Sequence, residues 1–124
     1  MRSESVPDTP KSHVTLHLSP VPVWEGQRDA EHYLPEAYQT EGFIHCTDGD
    51  ERVIDVANRF YADDPRRFVV LSVDLDANGE RWIYEDPDNV FPHIYGPIHP
   101  TSVVAVRPVN RAADGRFLGI GEQS

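Results

Sequence analysis

Two segments hold side chains whose types and spacing suit chemistry: Gly42-Phe43-Ile44-His45-Cys46-Thr47-Asp48 and Phe91-Pro92-His93-Ile94-Tyr95-Gly96-Pro97. Each sets a histidine two positions before a hydroxyl-bearing residue. Strand side chains alternate faces, so an extended backbone projects His45 with Thr47 to one side, and His93 with Tyr95 to one side of theirs. Imidazole and hydroxyl groups on a common face supply donors, acceptors and an aromatic wall. That set suits a nucleotide-like or glycoside-like ligand. Whether the two blocks line one cleft depends on strand order, which a single sequence does not encode.

Each residue also has a plainer reading. His45 faces away from Ile44 and Cys46, which belong to the core. It serves either a ribose hydroxyl or pyrophosphate in a cleft, or a loop carbonyl that it satisfies in place. Thr47 and Asp48 precede a helical pattern and are candidate caps, with Glu51 completing a capping-box-like arrangement; Asp48 in particular is read as a cap. His93 and Tyr95 stand between Pro92 and Gly96-Pro97, whose rigidity also serves to shape a turn. Glu85 closes the run Arg81-Trp82-Ile83-Tyr84-Glu85, where Trp82 and Tyr84 offer stacking surfaces; its plain reading is a solvated strand end beside Asp86 and Asp88.

Other chemistries find less support. His13 and His17 share a strand face, but four residues of strand separate them by roughly 13 Å, too far for one metal ion. No H-E-x-x-H motif is present, and His93, His99 and Asp88 converge on nothing that demands a metal, so none is assigned. Cys46 adjoins His45, but strand neighbours point to opposite faces and form no dyad; the thiol is read as packing. No nucleophile elbow or P-loop occurs, and Gly119-Ile120-Gly121 lacks the strand and helix that a dinucleotide fingerprint needs.

A chain of 124 residues suits one domain. The formal net charge of -10 argues against an extended nucleic-acid surface, and Lys11 is the only lysine. A lone cysteine excludes an internal disulfide, and the polar N-terminus lacks an apolar signal run, so a cytoplasmic protein without membrane contact is expected.

The elements that must position these groups follow from hydrophobic periodicity. Residues 1–11 read as a disordered leader, residues 12–109 as a single α+β domain, and residues 110–124 as a loosely packed tail. His13 to Ser19 alternates as a half-buried strand that Pro20 and Pro22 stop. The stretch from Val23 to Gln39 supports only short helical turns. A strand over Gly42–Thr47 precedes a helix to about Ala62, with Val53, Ile54, Ala57, Phe60 and Tyr61 as its buried face. Phe68–Leu75 suits a central strand, Asn78-Gly79 a turn, and Arg81–Glu85 another strand. The Phe91–Pro97 block and a last strand over Ser102–Val106 complete a mostly antiparallel set with one clear helix.

The Gly-Phe-Ile-His-Cys-Thr block, the Phe-Val-Val-Leu-Ser-Val-Asp strand, the Trp-Ile-Tyr-Glu segment and the Phe-Pro-His-Ile-Tyr-Gly-Pro block occur in that order. In this the chain resembles the bacterial domain of unknown function 952 family, from about His13 to Val109. The resemblance implies a fold similar to that of ADP-ribosyltransferases. In that fold, the placement of His17 is similar to a first-strand histidine that anchors the nicotinamide ribose. Glu85 is placed like a late-strand glutamate that orients the ribose and activates the acceptor. The chain departs from the arginine-modifying transferases in lacking a Glu-x-Glu or Gln-x-Glu pair. The resemblance thus implies catalytic roles for Glu85 and His45, and ligand contact by His17, Thr47, His93 and Tyr95. NAD is then a substrate rather than a resident cofactor. The alternative is a non-catalytic small-ligand or protein-interaction module that retains the fold.

Overall fold

The computed structural model describes residues 13–122, so the leader expected over residues 1–11 lies outside the described residues. Seven strands alternate with short helices: β1 Val14–Pro20, α1 Val21–Glu25, α2 Tyr38–Glu41, β2 Ile44–His45, α3 Asp50–Phe60, β3 Phe68–Asp74, α4 Leu75–Asn78, β4 Arg81–Tyr84, β5 Pro92–Tyr95, β6 Val103–Arg111 and β7 Phe117–Ile120. The strands form two antiparallel sheets, β1-β3-β6-β7 and β2-β5-β4. A backbone bridge between Leu16 and Thr47 joins them, curling one sheet toward the other. The expected α+β architecture is what forms.

β3 explains the layering. Its residues are buried on both faces, as a valine-rich continuous apolar run requires. Leu71 and Val73 pack with Ile44, Cys46 and Ile94 of the small sheet, while Val70 joins Leu16 and Val53 on the side of α3. The large sheet is thus a middle layer, with the small sheet on one face and α3 on the other.

β1 departs from the half-buried pattern. Leu16 faces α3, but the polar side, Thr15, His17 and Ser19, is also buried, at 0%, 5% and 0% exposure. Register places these three opposite Val73, Leu71 and Val69, on the face that meets the small sheet. Burial is tolerated because each polar atom has a partner: Thr15 bonds Asp48, His17 bonds the His45 carbonyl and Tyr33, and Ser19 bonds the Pro20 carbonyl. Alternation reports polarity; it does not report what covers the polar side.

Three further expectations change. Gly49, at φ 101°, is the N-cap of α3, and no side chain caps that end. Asp48 instead accepts from Thr15 and Tyr84 and pairs with His13. Phe60 and Tyr61 are exposed, at 67% and 38%, because the packed stripe of α3 is Val53, Ile54 and Ala57 and the chain leaves helical geometry at Tyr61. The chain after Pro108 does not wrap loosely. β6 runs through Pro108 to Arg111, and β7 returns along it, burying Phe117 against Phe68 and Ala57. Pro108 is accommodated because its carbonyl makes the bond there, accepting from Gly121 at 2.7 Å. No helix among the described residues is long and apolar enough to cross a membrane.

Candidate functional site

The site is built around β2. Gly42 ends α2 in the left-handed conformation, φ 81°, which a side chain would strain, and turns the chain into the strand. β2 then pairs with β5, setting Ile44 opposite Ile94 and His45 opposite His93. Both isoleucines are fully buried, so alternation sends both histidines to the other face. The two histidine blocks therefore lie side by side, with ring centroids 5.0 Å apart at 80°. Phe43 stacks on His93 at 4.2 Å and 15°.

These side chains line a cleft of about 1180 Å³. His17 and Tyr33 line it from the large-sheet side, the segment after β4 brings Glu85, Asp86 and Phe91, and α3 contributes Arg52, Asp55, Val56 and Arg59. That last row has the i, i+3, i+4, i+7 spacing of one helix face. Arg66, also on the wall, is already held by Asp64 and Glu36. No hydrogen bond or ion pair engages the Arg52 and Arg59 guanidiniums among the described residues; Arg59 lies 5.5 Å from the Phe60 ring.

His93 is the most constrained of the expected site residues. Its Nδ1 is 2.8 Å from Glu85 Oε1, and its side chain is 16% exposed. The Glu85 carboxyl is held below the usual carboxylate range by the Tyr95 hydroxyl and by His93. Tyr95 does not line the cleft. Its ring carries Arg81 at 4.7 Å, and the nearby Glu85 carboxylate pushes its hydroxyl's pKa up. Phe43, which does line the cleft, lies against both Tyr95, at 5.7 Å, and His93. His45 pairs with Glu41 at 3.0 Å, with both side chains well exposed. Thr47 lines the cleft, and its hydroxyl takes no hydrogen bond from the described residues.

His17 reaches the cleft wall with both ring nitrogens already engaged. Nδ1 lies 2.8 Å from the His45 carbonyl and Nε2 2.9 Å from the Tyr33 hydroxyl. A carbonyl only accepts, so Nδ1 carries the proton. Burial lowers the His17 pKa from 6.5 to about 4, so the ring is neutral near pH 7, and the Tyr33 hydroxyl donates to Nε2. Ser19 Oγ lies 2.9 Å from Tyr33 Oη on the other side of that hydroxyl. His17 thus fixes the backbone of β2 rather than presenting a free nitrogen. Cys46 is buried, and burial pushes its thiol up, away from thiolate chemistry.

Sequence reasoning passed over Phe43, Tyr33, Glu41, Arg52 and Arg59 as site residues. Phe43 lies inside the motif, and the arginines sit at helical spacing beside the apolar stripe. Which side of α3 meets a cleft is a tertiary fact. Among the described residues, no three His, Cys, Asp or Glu side chains gather closely enough to hold a metal ion.

A family model, Protein of unknown function (DUF952), matches residues 18–106, a span that contains both histidine blocks and α3. The chain belongs to this family. No curated protein matches it. The fold is similar to that of CC0527 from Caulobacter crescentus. Its crystal structure aligns with a TM-score of 0.70 at 20% identity, covering 86% of this chain and 94% of that one. A crystallised double mutant of CC0527 gives the same values. The solution structure aligns at 0.64 and 20% identity, over 88% of this chain and 91% of that one. At this identity the likeness establishes a shared fold, and the site must be argued from its own residues.

Proposed function

We propose that the cleft binds NAD or an ADP-ribose-like ligand. The observation that carries this reading is that His45 and His93 meet in one cleft to which α3 adds two arginines with no carboxylate partner among the described residues. Guanidinium groups suit a pyrophosphate, as charge-assisted donors. Phe43 and Phe91 offer apolar surface to a base or a nicotinamide ring. Glu41, Asp55, Asp86 and Asp88 accept from ribose hydroxyls and oppose a purely anionic ligand, since the cleft holds more carboxylates than arginines. NAD, with a cationic nicotinamide beside its pyrophosphate, answers that mixture better than a nucleoside triphosphate does. An ADP-ribosyltransferase-like fold and a cytoplasmic setting belong to the same reading.

Transfer of ADP-ribose is the reaction such a cleft would serve. The ribosyl–nicotinamide bond breaks, nicotinamide leaves with the electron pair, and an acceptor oxygen or nitrogen closes on the anomeric carbon. A specific observation favours a second reading, a non-catalytic binding module: Glu85 is engaged by His93 and Tyr95 instead of standing free to face a ribosyl cation.

Calorimetric titration with NAD and with ADP-ribose tests the binding. Wild-type protein is expected to bind at least one of them, and Arg59→Ala and His45→Ala, checked for folding, to weaken it about tenfold, or about 1.4 kcal/mol. No heat of binding for either ligand at millimolar concentration would remove the reading. Nicotinamide release over long incubation separates transferase from binding module.

A further inference from the structure

We propose that His93 is the proton-accepting residue of the cleft, and that Glu85 and Phe43 are its positioning residues. The inference rests on the cleft being the ligand site, and it moves the acid–base work from Glu85 to the imidazole that Glu85 holds.

Among the described residues four histidines contact a carboxylate, and their surroundings differ. His45 and Glu41 have side chains 57% and 38% exposed, a surface pair whose geometry water readily loosens. His99 is tied to Glu80 at 2.8 Å, and His13 meets Asp48 at 3.2 Å; neither histidine lines the cleft. His93 both lines the cleft and is largely covered, at 16% exposure, with its carboxylate at 2.8 Å.

Three contacts fix this ring. The Glu85 carboxylate accepts from Nδ1, which sets the neutral tautomer as Nδ1–H and leaves the lone pair on Nε2. Phe43 lies parallel to the ring at 4.2 Å and prevents it from tipping, and His45 meets it edge-on at 5.0 Å. Glu85 is itself held by the Tyr95 hydroxyl, and Arg81 lies over the Tyr95 ring. Nε2 makes no hydrogen bond to any described residue. It is also not a sealed orphan, since Trp24 Nε1 is the buried atom without a partner among the described residues. Nε2 is therefore a bare acceptor open to the cleft, on a ring whose orientation the protein has already fixed. A general base needs that arrangement: a positioned lone pair and a carboxylate behind it to stabilise the cation that forms.

The proton balance is closed. When a hydroxyl of water or of an acceptor attacks the ligand's electrophilic carbon, its oxygen forms the new bond and its O–H bond breaks. The proton goes to Nε2, giving an imidazolium beside Glu85. The leaving group departs with the electrons of the broken bond, and His93 returns the proton to solvent.

Long-range proton–nitrogen NMR on protein labelled with ¹⁵N-histidine tests the assignment without any ligand. Neutral His93, identified by loss of its signals in His93→Gln, is expected in the Nδ1–H form, and Glu85→Ala is expected to shift it toward Nε2–H. Added NAD should move the Nε2 resonance. In nicotinamide release, His93→Gln should lower kcat roughly a hundredfold with KM little changed, and Glu85→Ala by less. An Nε2–H tautomer in the wild type overturns the proposal, as does unchanged turnover in His93→Gln. If NAD neither binds nor reacts, the NAD reading fails by itself, and the tautomer decides on His93.

Discussion

Asp48→Asn distinguishes a carboxylate that caps a helix from one that ties two strands together. As an N-cap, asparagine serves as well as aspartate, so a capping role predicts a change within about 0.5 kcal/mol. In the structure the carboxylate instead binds β1 and β4 together. Thr15, fully buried, donates to Oδ1 at 2.7 Å, Tyr84 donates to Oδ2, and His13 Nε2 lies 3.2 Å from the same oxygen. An amide turns one of these two acceptors into a donor, so that the facing hydroxyl must accept and its own proton loses this partner, and removes the charge that strengthens both. Hydrogen bonds to charged groups are worth about 1.5–3 kcal/mol, and a buried group left unpaired costs about 1–3. Asp48 is 25% exposed, which moderates the first figure, and the expected loss is about 2–4 kcal/mol. For a domain of this size that lowers Tm by about 6–12 °C. Urea unfolding should show a lower midpoint with unchanged slope. Thr15→Val in both backgrounds should give a coupling of about 1–2 kcal/mol. Tyr84 supplies a second readout. Burial and the Asp48 carboxylate oppose its ionisation, so ultraviolet titration of Asp48→Asn should show phenolate forming at lower pH. A variant within about 0.5 kcal/mol of wild type, with Tyr84 titrating unchanged, would refute the bridging role and restore the cap.

Two further predictions concern the walls of the cleft. Arg111 fans its guanidinium onto the carbonyls of Ala62, Asp64, Arg66 and Gly115 and over the Phe117 ring, fixing the loop that carries Arg66. Arg111→Lys should therefore cost about 2–4 kcal/mol in thermal unfolding, because an ammonium cannot reproduce a planar fan of donors; a neutral outcome would contradict this. His17 predicts the acid limit of stability. Its folded pKa of about 4 lies below the unfolded 6.5, so the unfolded chain takes up a proton that the folded chain refuses. Its contribution is constant above pH 6.5, falls as pH drops toward about 4, and levels off below. The difference corresponds to about 3 kcal/mol, and His17→Gln should flatten the fall in urea midpoints across that window; the same slope in both proteins would reject the assignment.

Residue patterns made the local structure legible. The apolar spacing over Val53, Ile54 and Ala57 marks α3 because helix packing is decided by near neighbours in sequence. The valine-rich run from Phe68 marks the strand buried on both faces. β7 escaped notice because Phe117–Ile120 is short and follows a polar turn; its place is secured by pairing with β6 and by the fit of Phe117 under α3.

The chain by itself determined which residues could do chemistry, since side-chain types and strand alternation are local properties. His45 and His93 stood out because an imidazole next to a core isoleucine in a strand must face the other way. Their meeting was decided by the β2–β5 register, a pairing between segments 48 residues apart in numbering, which alternation cannot supply. The same holds for the covered polar side of β1, the bridging role of Asp48 and the hold of Glu85 on His93. Hydrogen-bond partners distant in sequence are chosen by the packing of layers, and only the folded chain brings them within 3 Å or so of one another.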